Sequence, residues 1–444
     1  MSTDPGTVPV PWTAGLRLHR WNDRAVVAVA IAAFASGFAQ FGVVAALGDV
    51  ARGFGQVNPG ATLADQAGLS GTDLGIGLAI MRLASLGALP ITGLADRFGR
   101  RKMLLVTVGL GLTMTAVAAA SPSYWWFVAI FASGRPLLSA TNALSQVTAA
   151  EQTGSADRAK AVALIAAGYG TGAGVIAIVH SLASRLIGFR GVFALALLPL
   201  ALLPLLWRWI EEPDRFAVAA AGSGHPIPVL GAVAPLFRRR LMVIAALAFA
   251  VSVITGPANT FVFLFAQNFL HQRGIVTAAM VAGAGVAGLA GLLAGRWLAD
   301  RVGRRLTGAL AMVAVALLAT LTYTGSTPAL LVGYILGVFA GSVFAPAAGS
   351  LINELFPTSV RASVAGWSLA AGVLGAVTGL VVFGAVAGAG AGFAVAGVVT
   401  FWPAALVMAL FWLLPETRGG EPEDLWSDPG TDFPREPRSA VTEG

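Results

Sequence analysis

Arg82 and Arg135 stand inside long apolar runs of the chain, and an ionisable side chain in such a run is costly and commonly functional. Asp96 marks the end of the run that holds Arg82, so the arginine lies 96 − 82 = 14 residues in, on the order of 21 Å along a helix rising about 1.5 Å per residue. Arg135 falls near the middle of its own run. No carboxylate occurs at a comparable depth, because Asp49 and Asp73 fall at run ends. Two guanidinium groups without an internal acid imply a counter-charge that arrives from elsewhere, and the planar guanidinium fork suits a carboxylate. The same residues also allow a structural role, with Arg82 reaching out along its apolar stem to Asp49 or Asp73 and Arg135 bonding helix carbonyls.

Gln40, Asn142, Gln146, Tyr169 and Asn259 are further polar side chains in apolar runs. Each is a candidate to contact a bound solute, and each serves equally well as an interhelical hydrogen bond. Proton transfer needs a group that titrates, so Asp49, Asp73 and His180 are the candidates, histidine being the side chain that ordinarily changes charge near neutrality. Other chemistry is excluded by type. The chain has no cysteine, hence no disulfide framework and no thiolate metal site. Lys102 and Lys160 are its lysines and neither follows a glycine, so there is no phosphate-binding P-loop. The His-Glu-x-x-His and Gly-x-Ser-x-Gly signatures are missing too. No catalytic residue, cofactor or metal is expected, and the chain is not read as an enzyme.

The elements that must position these side chains follow from composition. The chain is 57% hydrophobic and 11% charged, with a mean hydropathy of +0.79, far from the roughly one-quarter charged residues of soluble domains. Runs of about 20 apolar residues cross a bilayer core as helices, and twelve can be counted: 25–48, 73–95, 103–121, 124–147, 160–182 and 191–210, then 241–267, 276–298, 306–324, 329–352, 362–386 and 392–414. The sequence therefore predicts an all-α membrane protein. Its first run is too long and starts too late to resemble a cleaved signal peptide.

Net charge is +7, yet the basic residues do not form a nucleic-acid surface. Placing both termini in the cytoplasm puts 21 of the 28 Lys and Arg on that side, leaving Arg52, Arg185, Arg190 and Arg273 outside and Arg82, Arg135 and Arg296 within runs. The positive-inside rule accounts for the basicity. The expected location is the cell membrane, with lipid and a small solute as partners, no nucleic acid, and a monomeric state.

A second level of order is duplication. Gly93-Leu94-Ala95-Asp96-Arg97-Phe98-Gly99-Arg100-Arg101 returns as Trp297-Leu298-Ala299-Asp300-Arg301-Val302-Gly303-Arg304-Arg305, with 300 − 96 = 204. Glu151 and Arg158 map onto Glu354 and Arg361 at an offset of 203, and Glu212 onto Glu416 at 204. Several charged landmarks in one register indicate an internal repeat. The expected organisation is a cytoplasmic lead (1–24), a first six-helix unit (25–210), a linker (211–240), a second six-helix unit (241–414) and a cytoplasmic tail (415–444). Glycines at short spacings, Gly168, Gly170, Gly172 and Gly174, then Gly291 with Gly295 and Gly375 with Gly379, allow close helix packing; they are candidates for the sliding surfaces between the units.

These loops, together with Pro415-Glu416-Thr417-Arg418-Gly419, resemble the major facilitator superfamily, and within it the sugar-porter and metabolite–proton symporter branches. The resemblance covers residues 25–419. It implies two pseudo-symmetric six-helix bundles around a central cavity, alternating access, and helices 1, 4, 7 and 10 along the substrate path, in accord with the general placement of transporter sites between repeats. It also implies that Asp96, Arg97, Gly99, Arg100, Arg101, Glu151, Arg158 and Glu212 form one gating cluster. Asp300, Arg301, Gly303, Arg304, Arg305, Glu354, Arg361, Glu416 and Arg418 form the other. Asp96 is expected beside the start of helix 11 and Asp300 beside the start of helix 5, where a helix dipole favours a carboxylate.

The sequence also departs from the family pattern. Trp297 replaces the glycine expected at the head of the second loop, Ser139 and Thr141 stand where glycines usually follow the span 4 arginine, and span 5 lacks the Gly-Pro element of drug–proton antiporters. The span 7 glutamine pair of sugar porters is absent, with Thr255 and Asn259 nearby. The favoured expectation is uptake of a small organic anion with protons. Efflux by proton antiport, sugar or polyol uptake, and a transporter-like sensor are the alternatives.

Overall fold

A computed structural model describes residues 18–58, 63–214, 233 and 235–418, and the side chain of Asp96 lies outside what it describes. The lead, most of the linker and most of the tail therefore fall outside the described residues. The described chain is almost wholly helical. In the first half, α1 is Arg24–Ala45, α2 Leu47–Phe54, α3 Leu63–Ala67, α4 Gly71–Ala84, α5 Ala88–Phe98, α6 Arg100–Ala118, α7 Tyr124–Gln152, α8 Ser155–Ala194, α9 Leu197–Ala201 and α10 Leu203–Trp209. In the second, α11 is Pro235–Thr260, α12 Val262–Leu264, α13 Gly274–Arg301, α14 Arg304–Thr322, α15 Thr327–Leu355, α16 Thr358–Val386 and α17 Gly392–Leu406.

Among the described residues, ten helical segments are long and apolar enough to cross a membrane. Two features bear on that number. Helix α7 has 29 residues but carries Arg135, Asn142, Gln146 and several hydroxyl side chains, which lower its hydropathy. The 51-residue segment Ser363–Leu413 is broken at Ala387–Ala391, where Gly390 has φ 84° and Gly392 follows with φ 80°. Helix α8 is likewise interrupted, at Gly188 with φ 62°. These are left-handed conformations that glycine adopts without a Cβ penalty.

Local chemistry sets several helix starts. The Ser70 hydroxyl accepts the backbone N–H of Asp73 at 3.0 Å and donates to the Asp73 carboxylate at 2.7 Å, a capping arrangement that satisfies a free donor of α4. Ser326 caps α15 in the same way through the N–H of Ala329. Helices α6 and α14 each start behind a glycine with positive φ, Gly99 at 96° and Gly303 at 115°.

Close packing relies on the glycines, although not between the halves as expected. Gly168 and Gly172 of α8 face the Ala30 and Phe34 carbonyls of α1; Gly291 and Gly295 of α13 face Phe339 and Val343 of α15; Gly375 and Gly379 of α16 face Phe249 and Val253 of α11. Gly170 and Gly174 meet nothing within 4 Å. All these contacts are internal to one half. The surface between halves uses other glycines: a Cβ on Gly75 of α4 would lie 2.6 Å from the Leu380 carbonyl of α16, and Gly71 meets Gly384 and Gly388. Gly48 against Asn268 and Gly274 against Ser181 are further crossings. All lie at the end of the molecule opposite the Asp-Arg loops, hereafter the far end; the loops mark the basic end.

Candidate functional site

Between the halves lies a cavity of about 370 Å³. Gln40 of α1, Arg82 of α4, and Arg135 and Tyr169 of α7 and α8 line one side; Ser252, Thr255, Asn259 and Thr260 of α11 line the other, with Ala376 and Leu380 of α16. Five of the seven polar residues singled out as solute contacts are thus brought together. Asn142 and Gln146 are not among the lining residues. Asn142 keeps a buried, unpartnered amide oxygen, and Gln146 is exposed.

The lining is electrically one-sided: it contains two arginines and no carboxylate. Arg135 donates one N–H to the Gln40 backbone carbonyl at 3.1 Å, while its Nε is buried without a partner. Gln40 is itself held by an amide N–H donated to Ser36 Oγ at 2.8 Å, and Ser36 donates to the Leu138 carbonyl at 2.8 Å, so α1 and α7 are tied on either side of the guanidinium. Arg82 does not reach Asp49 or Asp73. Those carboxylates bond His180 and Ser70 instead, and Arg82 lines the cavity.

The second-half wall was only partly visible from sequence. Ser252, Thr255 and Asn259 recur at helical spacing and form a polar stripe on α11. That spacing was the available signal, and hydroxyl side chains in an apolar helix are easily passed over because they satisfy themselves on the backbone. Thr255 does this by donating to Val251, and Asn259 by donating to Thr255. A smaller cavity of about 230 Å³ shares Thr255 and Asn259 with the first and extends between α11, α14 and α15 to Tyr334, Gly337 and Ser342. Helix α15, the counterpart of the expected path-lining helix 10, contributes to this side chamber. The Phe261, Phe263 and Phe265 rings are buried against Phe383, Phe41 and Tyr323, not in either cavity.

At the basic end the two charged loops take matching forms. The Glu212 carboxylate accepts the backbone N–H groups of Arg100 (2.5 Å) and Arg101 (3.0 Å) at the start of α6; Glu416 accepts those of Arg304 (3.0 Å) and Arg305 (3.2 Å) at the start of α14. A carboxylate there meets free N–H groups and the positive end of the helix dipole. Arg100 pairs with Glu151 through two contacts of 3.2 Å, and Arg304 pairs with Glu354. These pairs join helices of the same half. The remaining gating candidates are dispersed: Arg97 lies over Phe98 and Arg301 over Trp297, Arg361 donates to the Phe356 carbonyl, Arg158 is exposed, and the Arg418 N–H donates to Glu416. Asp300 is exposed. The bulky Trp297 is accommodated because its side chain is exposed, with the Arg301 guanidinium over its ring.

At the far end His180, fully buried, meets Asp49 with its Nε2 2.8 Å from the carboxylate. The pairing was not evident in the sequence, where the two lie 131 positions apart. Asp73 is the residue of α4 that Ser70 caps, as described above.

A cavity between two halves, joined to loops of one design repeated twice, is the setting in which comparison with known proteins becomes informative. The family model described as Major Facilitator Superfamily matches residues 29–311 and 276–432. The chain belongs to the major facilitator superfamily. It is a multi-pass membrane transporter and not an enzyme. A probable 4-methylmuconolactone transporter of Cupriavidus pinatubonensis is 27% identical over 79% of this chain and 84% of its own length. A gentisate transporter of Corynebacterium glutamicum is 27% identical over 71% of this chain and 73% of its own. Among solved structures, an inward-open xylose transporter from E. coli superposes with a TM-score of 0.64 over 90% of this chain and 98% of that one, at 18% identity, which is a likeness of fold.

Proposed function

We propose that this superfamily member carries a small organic anion, a carboxylate, across the cell membrane by alternating access and in symport with protons. The observation that carries the proposal is the cavity lining, with Arg82 and Arg135 facing it and no acid to neutralise them. Two like charges beside one chamber are stabilised by an anion that enters it, and a guanidinium fork binds a carboxylate through paired N–H donors. The relatives support the same class, since gentisate is an aromatic carboxylate.

In this proposal the chain forms twelve crossings, with α7 and the two arms of the 363–413 segment each counted, in two six-helix bundles around the cavity. The basic end faces the cytoplasm under the positive-inside rule. The state described is then inward-facing, because the halves meet at the far end and the ion pairs of the basic end stay within their own halves. When the basic end closes, Asp96 and Asp300 are the carboxylates that engage helices of the opposite bundle, and the protein works as a monomer. A single exposed ion pair contributes only about 0–1 kcal/mol. A network repeated on two sides biases a two-state cycle, for which complete reversal from 1:99 to 99:1 takes about 5.5 kcal/mol.

The test is uptake into proteoliposomes of benzoate-class carboxylates, neutral sugars and cationic dyes. Carboxylate uptake that Arg135→Ala reduces at least about tenfold, in line with the loss of a charge-assisted hydrogen bond, is the expected result. Uptake confined to cations, or undiminished carboxylate affinity in Arg135→Ala, would remove the anion assignment.

A further inference from the structure

Several buried polar groups gather at the far end and the anion cavity does not use them. His180 Nε2 meets Asp49, while its Nδ1 is buried without a partner. The neighbouring Ser181 Oγ is buried and unpartnered, and Ser181 packs on Gly274 of the second half. Across the same junction, Asn268 lies against Gly48, one residue before Asp49, with both side-chain polar atoms buried and unpartnered. Buried polar groups are nearly always hydrogen-bonded, so the Ser181 and Asn268 orphans at the contact between halves mark a surface that is wet when the halves part and dry when they meet.

We infer that Asp49 and His180 together form a proton-binding site whose occupancy governs closure of the far end. The inference rests on the transport proposal and specifies its coupling step. With one proton the pair is neutral overall, whether as carboxylate with imidazolium or carboxylic acid with imidazole. Without it the pair carries one negative charge. Closure buries His180 fully and most of Asp49, and drawing a net charge out of water is more costly than drawing out a neutral, hydrogen-bonded pair. The far end therefore closes on the protonated form. The proton comes from water when the halves are apart, is held between Asp49 Oδ2 and His180 Nε2, and enters and leaves through the carboxylate, which keeps 25% of its side-chain surface exposed.

The other charged groups at this end have separate engagements or positions. Arg190 donates to the Ala119 carbonyl and lies over Phe54 and Phe189, and Asp73 is held by Ser70. Among the described side chains, Asp65 of α3, Arg52 of α2, and His271 and Arg273 ahead of α13 complete the set. The ion pair described for Asp49 is the one with His180.

The absence of native cysteine allows a direct test. Spin labels on Val57→Cys and Thr324→Cys, exposed far-end positions in opposite halves, report the opening by pulsed distance measurement in nanodiscs from pH 5 to pH 8 without any substrate. The expected result is a short distance at low pH that gives way to a longer one as pH rises, the closed-to-open ratio falling by up to about tenfold per pH unit, the limit for one linked proton. Asp49→Asn removes the charge and should remain closed across the range; His180→Gln leaves a lone carboxylate and should shift the change to lower pH. A flat response in the otherwise native protein, an unchanged response in Asp49→Asn, or an unshifted one in His180→Gln would each overturn the inference. A flat response with carboxylate uptake intact would discard the proton site and leave the anion proposal standing.

Discussion

The two charged loops share a backbone design but not the same anchorage. In both, a glycine with positive φ turns the chain so that the next helix presents its first N–H groups to a carboxylate 112 residues further on, Glu212 for Arg100 and Glu416 for Arg304. Beyond that the first copy is more tightly tied. Arg101 donates to the Ile210 and Trp207 carbonyls at 2.8 and 2.7 Å and stacks over the Trp207 ring. The lead joins in as well: the His19 N–H donates to the Gln152 carbonyl and its ring meets Glu211. In the second copy the bond described for Arg305 is that of its backbone N–H, and Arg304 reaches Thr417 instead. The parts retained in both copies are the glycine turn, its carboxylate and the arginine–glutamate pair, Arg100 with Glu151 and Arg304 with Glu354, while the tethers of the following arginine diverged.

That comparison can be broken most forcefully at the turns. Gly99 has φ 96°, ψ 146° and Gly303 φ 115°, ψ 152°, a region close to glycine-only that costs other residues about 1–3 kcal/mol. An added Cβ would also lie 2.9 Å from the Glu212 or Glu416 carboxylate. Gly99→Ala and Gly303→Ala should both lower the thermal unfolding midpoint in detergent by several degrees and to a similar extent; a harmless Gly303→Ala would show that only the first turn is structural. Glu212→Gln and Glu416→Gln keep the shape but lose the charge at the helix start, so a smaller, matched loss of about 1 kcal/mol is expected, read from the same midpoint. The smallest effects should separate the copies. Arg101→Ala should cost about 1–2 kcal/mol for its two carbonyl bonds and Arg305→Ala within about 0.5 kcal/mol, and equal losses would erase the difference drawn here.

The same contrast explains what the sequence disclosed. Charged residues in an apolar chain are conspicuous, so Asp300, Glu354 and Glu416 announced the repeat, and the apolar runs marked helical segments, although 191–210 is divided among the end of α8, α9 and α10. Arg82 and Arg135 were visible for the same reason. The polar stripe of α11 was visible only in part, through Thr255 and Asn259, because serine and threonine interrupt hydropathy only slightly. The pairing of Asp49 with His180 depends on which helices neighbour each other at the far end, a property of tertiary packing that spacing along the chain does not encode. The glycine pattern was legible as close packing, but the partner of each glycine was not, and the contact between halves is made by Gly71, Gly75, Gly384 and Gly388 instead.

The aromatic residues divide by kind in a way that bears on how binding can be observed. Phenylalanine and tyrosine rings fill the far-end interior, where Phe265, Tyr323, Phe383 and Phe393 stack on one another. Apart from Trp209, which is half-buried against the core, the described tryptophans, among them Trp125, Trp126, Trp297 and Trp412, sit at the protein surface, and none lines either cavity. Intrinsic indole emission will therefore report the surrounding lipid and stay nearly silent on cargo, whereas brominated acyl chains, which quench indoles on contact, should trace the hydrocarbon boundary around the molecule.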